Sequence, residues 1–237
     1  MSPYKLYVES GPQRKKTMVH VLELLGCIAS GPATEEALAQ TPAAIANFRR
    51  FLSRHGAAIE VDAGITTEVA SHITEGIWLG NGDPSLIFEP DLLPLTEQDG
   101  QEFIQRLEWM WAEMVALVGG LSEAQLEEQP KPRGRPIRVI LEHILESEYA
   151  YMYAFGRPEG LPGSGSIVKK KEGTLLAWMA YVQSVEYKRL RSLSWEERSE
   201  PFVHWKYPST ARKVVRRMLE HRWEHLVELR ERLGPSP

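Results

Sequence analysis

Between residues 76 and 99 the hydrophobic rhythm of this chain changes period, which restricts it to a sheet-bearing part followed by a helical one. Before the change, Tyr4, Leu6 and Val8 alternate with polar residues, the pattern of a strand with one buried face. After it, apolar residues recur at three- and four-residue intervals, the pattern of helices that each bury one stripe. The intervening GIWLGNGDPSLIFEPDLLPLTEQD is rich in glycine and proline and reads as a linker over 76–100 or a wrapped connection. Its Trp78, Leu79, Ile87 and Phe88 favour packing of some of it on a neighbouring surface.

Residues 1–75 read as a small α+β domain of order ββ(β)αβ. A first strand over Tyr4–Glu9 ends at the turn signal Ser10-Gly11-Pro12, and Thr17–Leu25 reads as a second. A short third strand is expected around Cys27–Ala29, before Ser30-Gly31-Pro32. Thr34 is placed as an N-cap, with Glu35 and Glu36 in the first turn where the helix dipole favours them. Ala37, Leu38, Ile45, Phe48 and Leu52 give the inner stripe, and His55-Gly56 the stop. Pro42 predicts either a kink or a second helix starting at that residue. Thr67–Ile73 supplies a closing strand.

Residues 101–235 read as an all-α four-helix bundle. Phe103, Leu107, Met110, Trp111, Met114 and Leu117 line the first helix, which Gly119-Gly120 ends; SEAQ at 122–125 fits a capping box. Pro136 opens the second, with Ile137, Ile140, Leu141, Ile144, Leu145 and Met152 inward. An irregular loop over 156–173 leads to a third helix capped by Thr174, with Leu175, Met179, Val182, Val185 and Leu190 inward. The fourth runs from about Ser209 to Leu233.

Composition removes several functions. A net charge of −4 and a pI near 6.0 give no electrostatic case for nucleic acid. The runs Arg14-Lys15-Lys16 and Lys169-Lys170-Lys171 read as solvated loop ends. A single cysteine, Cys27, excludes an internal disulfide and a cysteine-rich zinc site, and reads as a packed thiol. With no apolar run of membrane-spanning length and no leader-like start, a cytoplasmic, non-membrane protein is expected.

Three histidines concentrate the chemistry. His221 and His225 are four apart on the fourth helix, on one face in successive turns. On a helical wheel His225 falls in the apolar stripe of Ala211, Val214, Met218, Leu229 and Leu233, and His221 at its edge. His143 lies on the flank of the second bundle helix. Such a set suits one divalent ion with open positions, and it equally suits ordinary core and surface histidines. HRWEH is not the zinc-peptidase pattern, because Arg222 stands where a general-base glutamate would be. Glu146 and Glu224 are candidates for orienting a ligand imidazole. His20, His55 and His72 read as structural or exposed, and His204 as a weaker candidate near the bundle mouth.

From about Trp109 to Leu233 the chain resembles the DinB-like superfamily, the fold of bacillithiol and mycothiol S-transferases, in its LSEAQLEEQP turn and its RPIRVILEHILESE and RRMLEHRWEHLVEL helices. The resemblance implies a divalent metal (Zn, Ni or Fe) held by His143, His221 and His225, and a low-molecular-weight thiol as cosubstrate. The implied reaction is metal-dependent thiol transfer to an electrophile, or a related hydrolysis or isomerisation. Residues Tyr4 to about Ile73 resemble the HicB-like antitoxin fold in GCIASGPATEEALAQTPAAI followed by FRRFLSRHG. No ribbon-helix-helix or helix-turn-helix tail follows, so the resemblance implies a docking or regulatory module for a protein partner. The alternative function is therefore a non-enzymatic interaction or regulatory protein. Trp109 and Trp111 are candidates for a face between two copies of the chain.

Overall fold

The structure, a computed structural model, describes residues 2–11, 16–130 and 133–234; Pro12, Arg14 and Lys15 of the expected turn and basic run lie outside the described residues. The chain divides into two compact units, Met1–Pro94 with Glu200–Glu220, and Leu95–Ser199 with His221–Pro237.

The first unit holds β1 (Tyr4–Ser10), β2 (Thr17–Val21), β3 (Ile28–Gly31), α1 (Thr34–Arg54) and β4 (Thr67–Ile73). The sheet order is β3-β2-β1-β4, with β4 parallel to β1 and the other pairs antiparallel. A parallel neighbour needs a crossover, and α1 lies in it. Thr34 is the first helical residue rather than the cap, its hydroxyl 3.0 Å from that of Thr17. Helix α1 runs as one element through Pro42; beside it the Thr41 hydroxyl donates to the Ala37 carbonyl at 2.8 Å. Gly56, at φ +83°, ends the helix as expected.

Strands β1 and β2 differ from expectation in being buried on both faces. The register Leu6↔Val21 and Val8↔Val19 gathers one apolar face, while Tyr7↔His20 and Glu9↔Met18 place the other. Every one of these residues is buried. The second face is covered by the 76–94 stretch: Phe88 packs its ring 5.3 Å from that of Tyr7, and Glu9 accepts from the Gly82 and Asp83 amides at 2.7 and 3.1 Å.

That face carries a buried ionic network. His20 Nδ1 donates to Glu220 at 2.9 Å, and its Nε2 lies 3.5 Å from Glu9, an ion contact rather than a hydrogen bond. Glu220 also accepts from Arg216 and Arg217 at 2.9 and 2.7 Å, and Arg216 forks onto Asp91 at 2.7 and 2.9 Å. Burial works against the charged form of His20, but Glu220 and Glu9 outweigh it and raise its pKa. Gly82 is required here: its φ is +75°, and a Cβ would fall 2.0 Å from the Arg217 guanidinium.

The second unit holds α2 (Glu97–Val118), α3 (Glu123–Glu127), α4 (Ile137–Met152), α5 (Leu175–Arg191) and α6 (Trp195–Ser199). A two-stranded hairpin, β5 (Phe202–His204) and β6 (Tyr207–Ser209), belongs to the first unit, and neither it nor α6 was legible in the sequence. The last element, α7 (Ala211–Leu233), gives its residues through Glu220 to the first unit and those from His221 onward to the second. Helix α2 starts a turn earlier than expected, on a capping box in which the Thr96 hydroxyl accepts from the Asp99 amide at 3.1 Å. Thr174 caps α5, and Ser122 with Gln125 caps α3, as the sequence predicts.

The bundle core is not purely apolar. Arg222, fully buried on α7, donates to both carboxylate oxygens of Glu148 on α4. Its Nη1 donates to the Leu107 carbonyl on α2 at 2.9 Å and to the Tyr187 hydroxyl on α5 at 2.6 Å. Glu186, on α5 and 1% exposed, has no hydrogen-bond partner for either carboxyl oxygen among the described residues. Burial first, and the charge of Glu148 second, raise its pKa well above the ordinary 4.5 against the opposing pull of Arg222.

Two outcomes are expected. Arg222→Met leaves Glu148 buried without its counter-charge and lowers unfolding free energy by about 3–5 kcal/mol in urea titration, part of which Glu148→Met restores in the double variant. Glu186 keeps its proton in the folded state at pH values where the unfolded chain has lost it, so the unfolded state binds fewer protons and stability falls as pH rises above about 4.5. Glu186→Gln therefore raises Tm at pH 7 to 8, with an advantage that disappears towards pH 4.

Candidate metal centre

Two helices build this site, both through residues of the second unit. On α7, the four-residue spacing places His221 and His225 one above the other. On α4, His143 belongs to the helix that also carries the buried Ile140 and Ile144. His221 and His225 are 7% and 5% exposed, whereas His143 is half-buried and forms the site's accessible side. Arg222, one residue on from His221, is rotated by about 100° and points to Glu148 instead.

The three rings converge through their Nε2 atoms. His221 Nε2 lies 3.0 Å from His143 Nε2 and 3.2 Å from His225 Nε2. The ring planes meet at 64°, 83° and 84°, so the imidazoles radiate from a common point rather than stack. One ligand nitrogen from each falls within 4.8 Å of the others. Nitrogens about 2.0–2.1 Å from a shared ion, separated by angles of 90–109°, stand roughly 2.9–3.4 Å apart, so the donor set fits a divalent cation.

Polar neighbours surround this convergence. Nδ1 of His225 donates to Glu228 Oε2 at 2.8 Å, since a carboxylate only accepts. Arg135 Nη2 donates to the same carboxylate oxygen at 3.1 Å, and Arg232 Nη2 donates to Oε1 at 2.7 Å. The Glu228 carboxyl is held at about 2, chiefly by the bond from His225, with Arg135 adding to it against burial. Burial, then His225 and Arg135, push the His143 pKa down, with Glu224 and Glu228 opposing. Ser147 Oγ lies 3.5 Å from His143 Nδ1, and the Tyr151 ring stands edge-on to His221 with centroids 6.0 Å apart.

The structure thus brings together the three histidines that the sequence singled out, and none of the other four. His20 lies in the ionic network of the first unit, His55 caps α1, His72 bonds Ser10, and His204 stacks on Trp205 in the hairpin. Glu146 is exposed, and neither it nor Glu224 is hydrogen-bonded to a site histidine among the described residues. The carboxylate that orients a ring is Glu228, three residues after His225, a spacing that was readable as H-x-x-E. Arg135 lies too far along the chain to be found by spacing. Cys27 is buried in the first unit, and burial raises its thiol pKa, which suits packing and not attack.

A model of the DinB superfamily matches residues 106–229, just over half of the 237. No curated protein matches the chain. One solved structure similar to it is that of YfiT from Bacillus subtilis, described as a probable metal-dependent hydrolase with an unusual four-helix bundle topology. It has 19% identity and a TM-score of 0.42, over 60% of this chain and 91% of that one.

Proposed function

The chain belongs to the DinB superfamily, and from that premise we propose that His143, His221 and His225 hold one divalent metal ion in a metal-dependent thiol transferase or a related hydrolase or isomerase. The observation that carries this reading is the convergence of three Nε2 atoms at 3.0 and 3.2 Å. Three neutral imidazoles suit Zn, Ni or Fe, and a bound ion of this kind lowers the pKa of a thiol or water in an open position. The chain's own residues supply the rest. His221 and His225 stand out of solvent, while half-buried His143 leaves an approach for a low-molecular-weight thiol and an electrophile.

We read the first unit as HicB-like, on its β1-β2-β3-α1-β4 order and parallel β1–β4 pair. It contains none of the three site histidines, which favours a second reading in which it docks a protein partner and the chain acts without catalysis. The half-buried Trp109 and Trp111 on α2 leave room for a face between two copies of the chain. No helix among the described residues is long and apolar enough to cross a membrane.

Protein purified without a histidine tag is expected to carry close to one equivalent of transition metal by elemental analysis, and His225→Ala to lose it. A metal-free wild type that gains no stability from added Zn²⁺ sinks the reading; at 100 times the Kd, binding is expected to add about 2.7 kcal/mol. Consumption of a model electrophile is expected to depend on both thiol and metal. Metal-dependent turnover without thiol points to the hydrolase or isomerase form, and no turnover with any thiol tried favours the docking reading.

A further inference from the structure

The metal reading leaves unexplained why two arginines are spent on one carboxylate beside the histidines. Both oxygens of Glu228 are engaged: Oε2 accepts from His225 and Arg135, and Oε1 accepts from Arg232. Arg232 also donates to the backbone carbonyl of Arg135 at 2.5 Å. Arg135, Glu228 and Arg232 therefore form a closed ring. It joins the segment that leads into α4, the helix of His143, to the part of α7 that carries His221 and His225.

This ring has two physical effects on the site. Nδ1 of His225 lies 2.8 Å from Glu228 Oε2 and 3.2 Å from Arg135 Nη2; flanked by two guanidiniums, Glu228 is an ionised, acceptor-only group, and this shorter contact places the proton of His225 on Nδ1. In a neutral imidazole that leaves the lone pair on Nε2, the atom aimed at His221. With both its oxygens held, the carboxylate is also kept out of the ligand set and acts on the site through the ring of His225.

We infer that Glu228 is the positioning residue of the centre: clamped by Arg135 and Arg232, it fixes the Nδ1–H tautomer of His225 and presents Nε2 to the ion. This rests on the three histidines being ligands, and the two ideas fail separately. An imidazole oriented by a second hydrogen bond binds metal more tightly than one free to rotate and exchange tautomers, and loss of such a partner typically weakens affinity about 10–100-fold.

The test uses Co²⁺ as probe, titrated into wild type, Glu228→Gln and Glu228→Met with visible absorption and a competing chelator as readouts. Glu228→Met, which cannot accept the bond, is expected to raise the Co²⁺ Kd by about 10–100-fold and alter the absorption bands. Glu228→Gln keeps an acceptor oxygen and is expected to fall between it and wild type. In metal-free wild type, two-bond ¹H–¹⁵N correlation is expected to show the proton of the neutral His225 ring on Nδ1. This last measurement needs no variant, so it decides the matter even where a substitution damages folding. Wild-type affinity and bands in Glu228→Met overturn the inference, as does a proton found on Nε2 of His225. A wild type that binds no Co²⁺ overturns the metal reading beneath it.

Discussion

A guanidinium with no solvent exposure holds the four long helices of the second unit together. Arg222 gives its fork to Glu148 on α4, and its remaining contacts reach a carbonyl of α2 and the tyrosine hydroxyl of α5. Each partner lies on a different helix, so the arrangement is satisfied only when all four are in register. Burying a charge is costly, and a pair of this kind adds less net stability than its geometry implies. What it adds is selection, because any slip of α7 would strand a charge in the core. The histidines of the site ride on that fixed register, His221 being the residue next to Arg222 in sequence.

The same residue explains how HRWEH should be understood. Read as a metal motif, Arg222 is a misfit in a position that catalysis elsewhere reserves for a base. Read as one turn of a packed helix, the five residues serve two directions, with the histidines facing the site and the arginine facing the core. The two readings do not compete, since positions one apart on a helix point about 100° away from each other.

Much of this was legible in the sequence, and the parts that were not share a cause. Periodicity located α2, α4, α5 and α7 and the order of the first unit's elements, because one buried stripe leaves a clear signal. It also put His225 among buried residues, and the spacing of His221 followed. Charged residues that are buried in pairs leave no such trace. Glu9, Glu148, Arg216 and Glu220 look like surface residues until Gly82, Arg222, Asp91 and His20, far along the chain, are in place. Arg135, only partly buried, escapes for a related reason: its bond to Glu228 joins positions that no local pattern connects. The second face of β1 and β2 was missed for a related reason, since the segment that covers it had read as a connection.

Helix α7 is last among the described elements, yet both units draw on it. During synthesis the first unit must wait for Arg216, Arg217 and Glu220 before His20 and Asp91 find their partners. The second must wait for Arg222 and for two of its three site histidines. A chain cut before Ala211 would therefore lack buried charged partners that both units require, so one late segment carries the completeness of both.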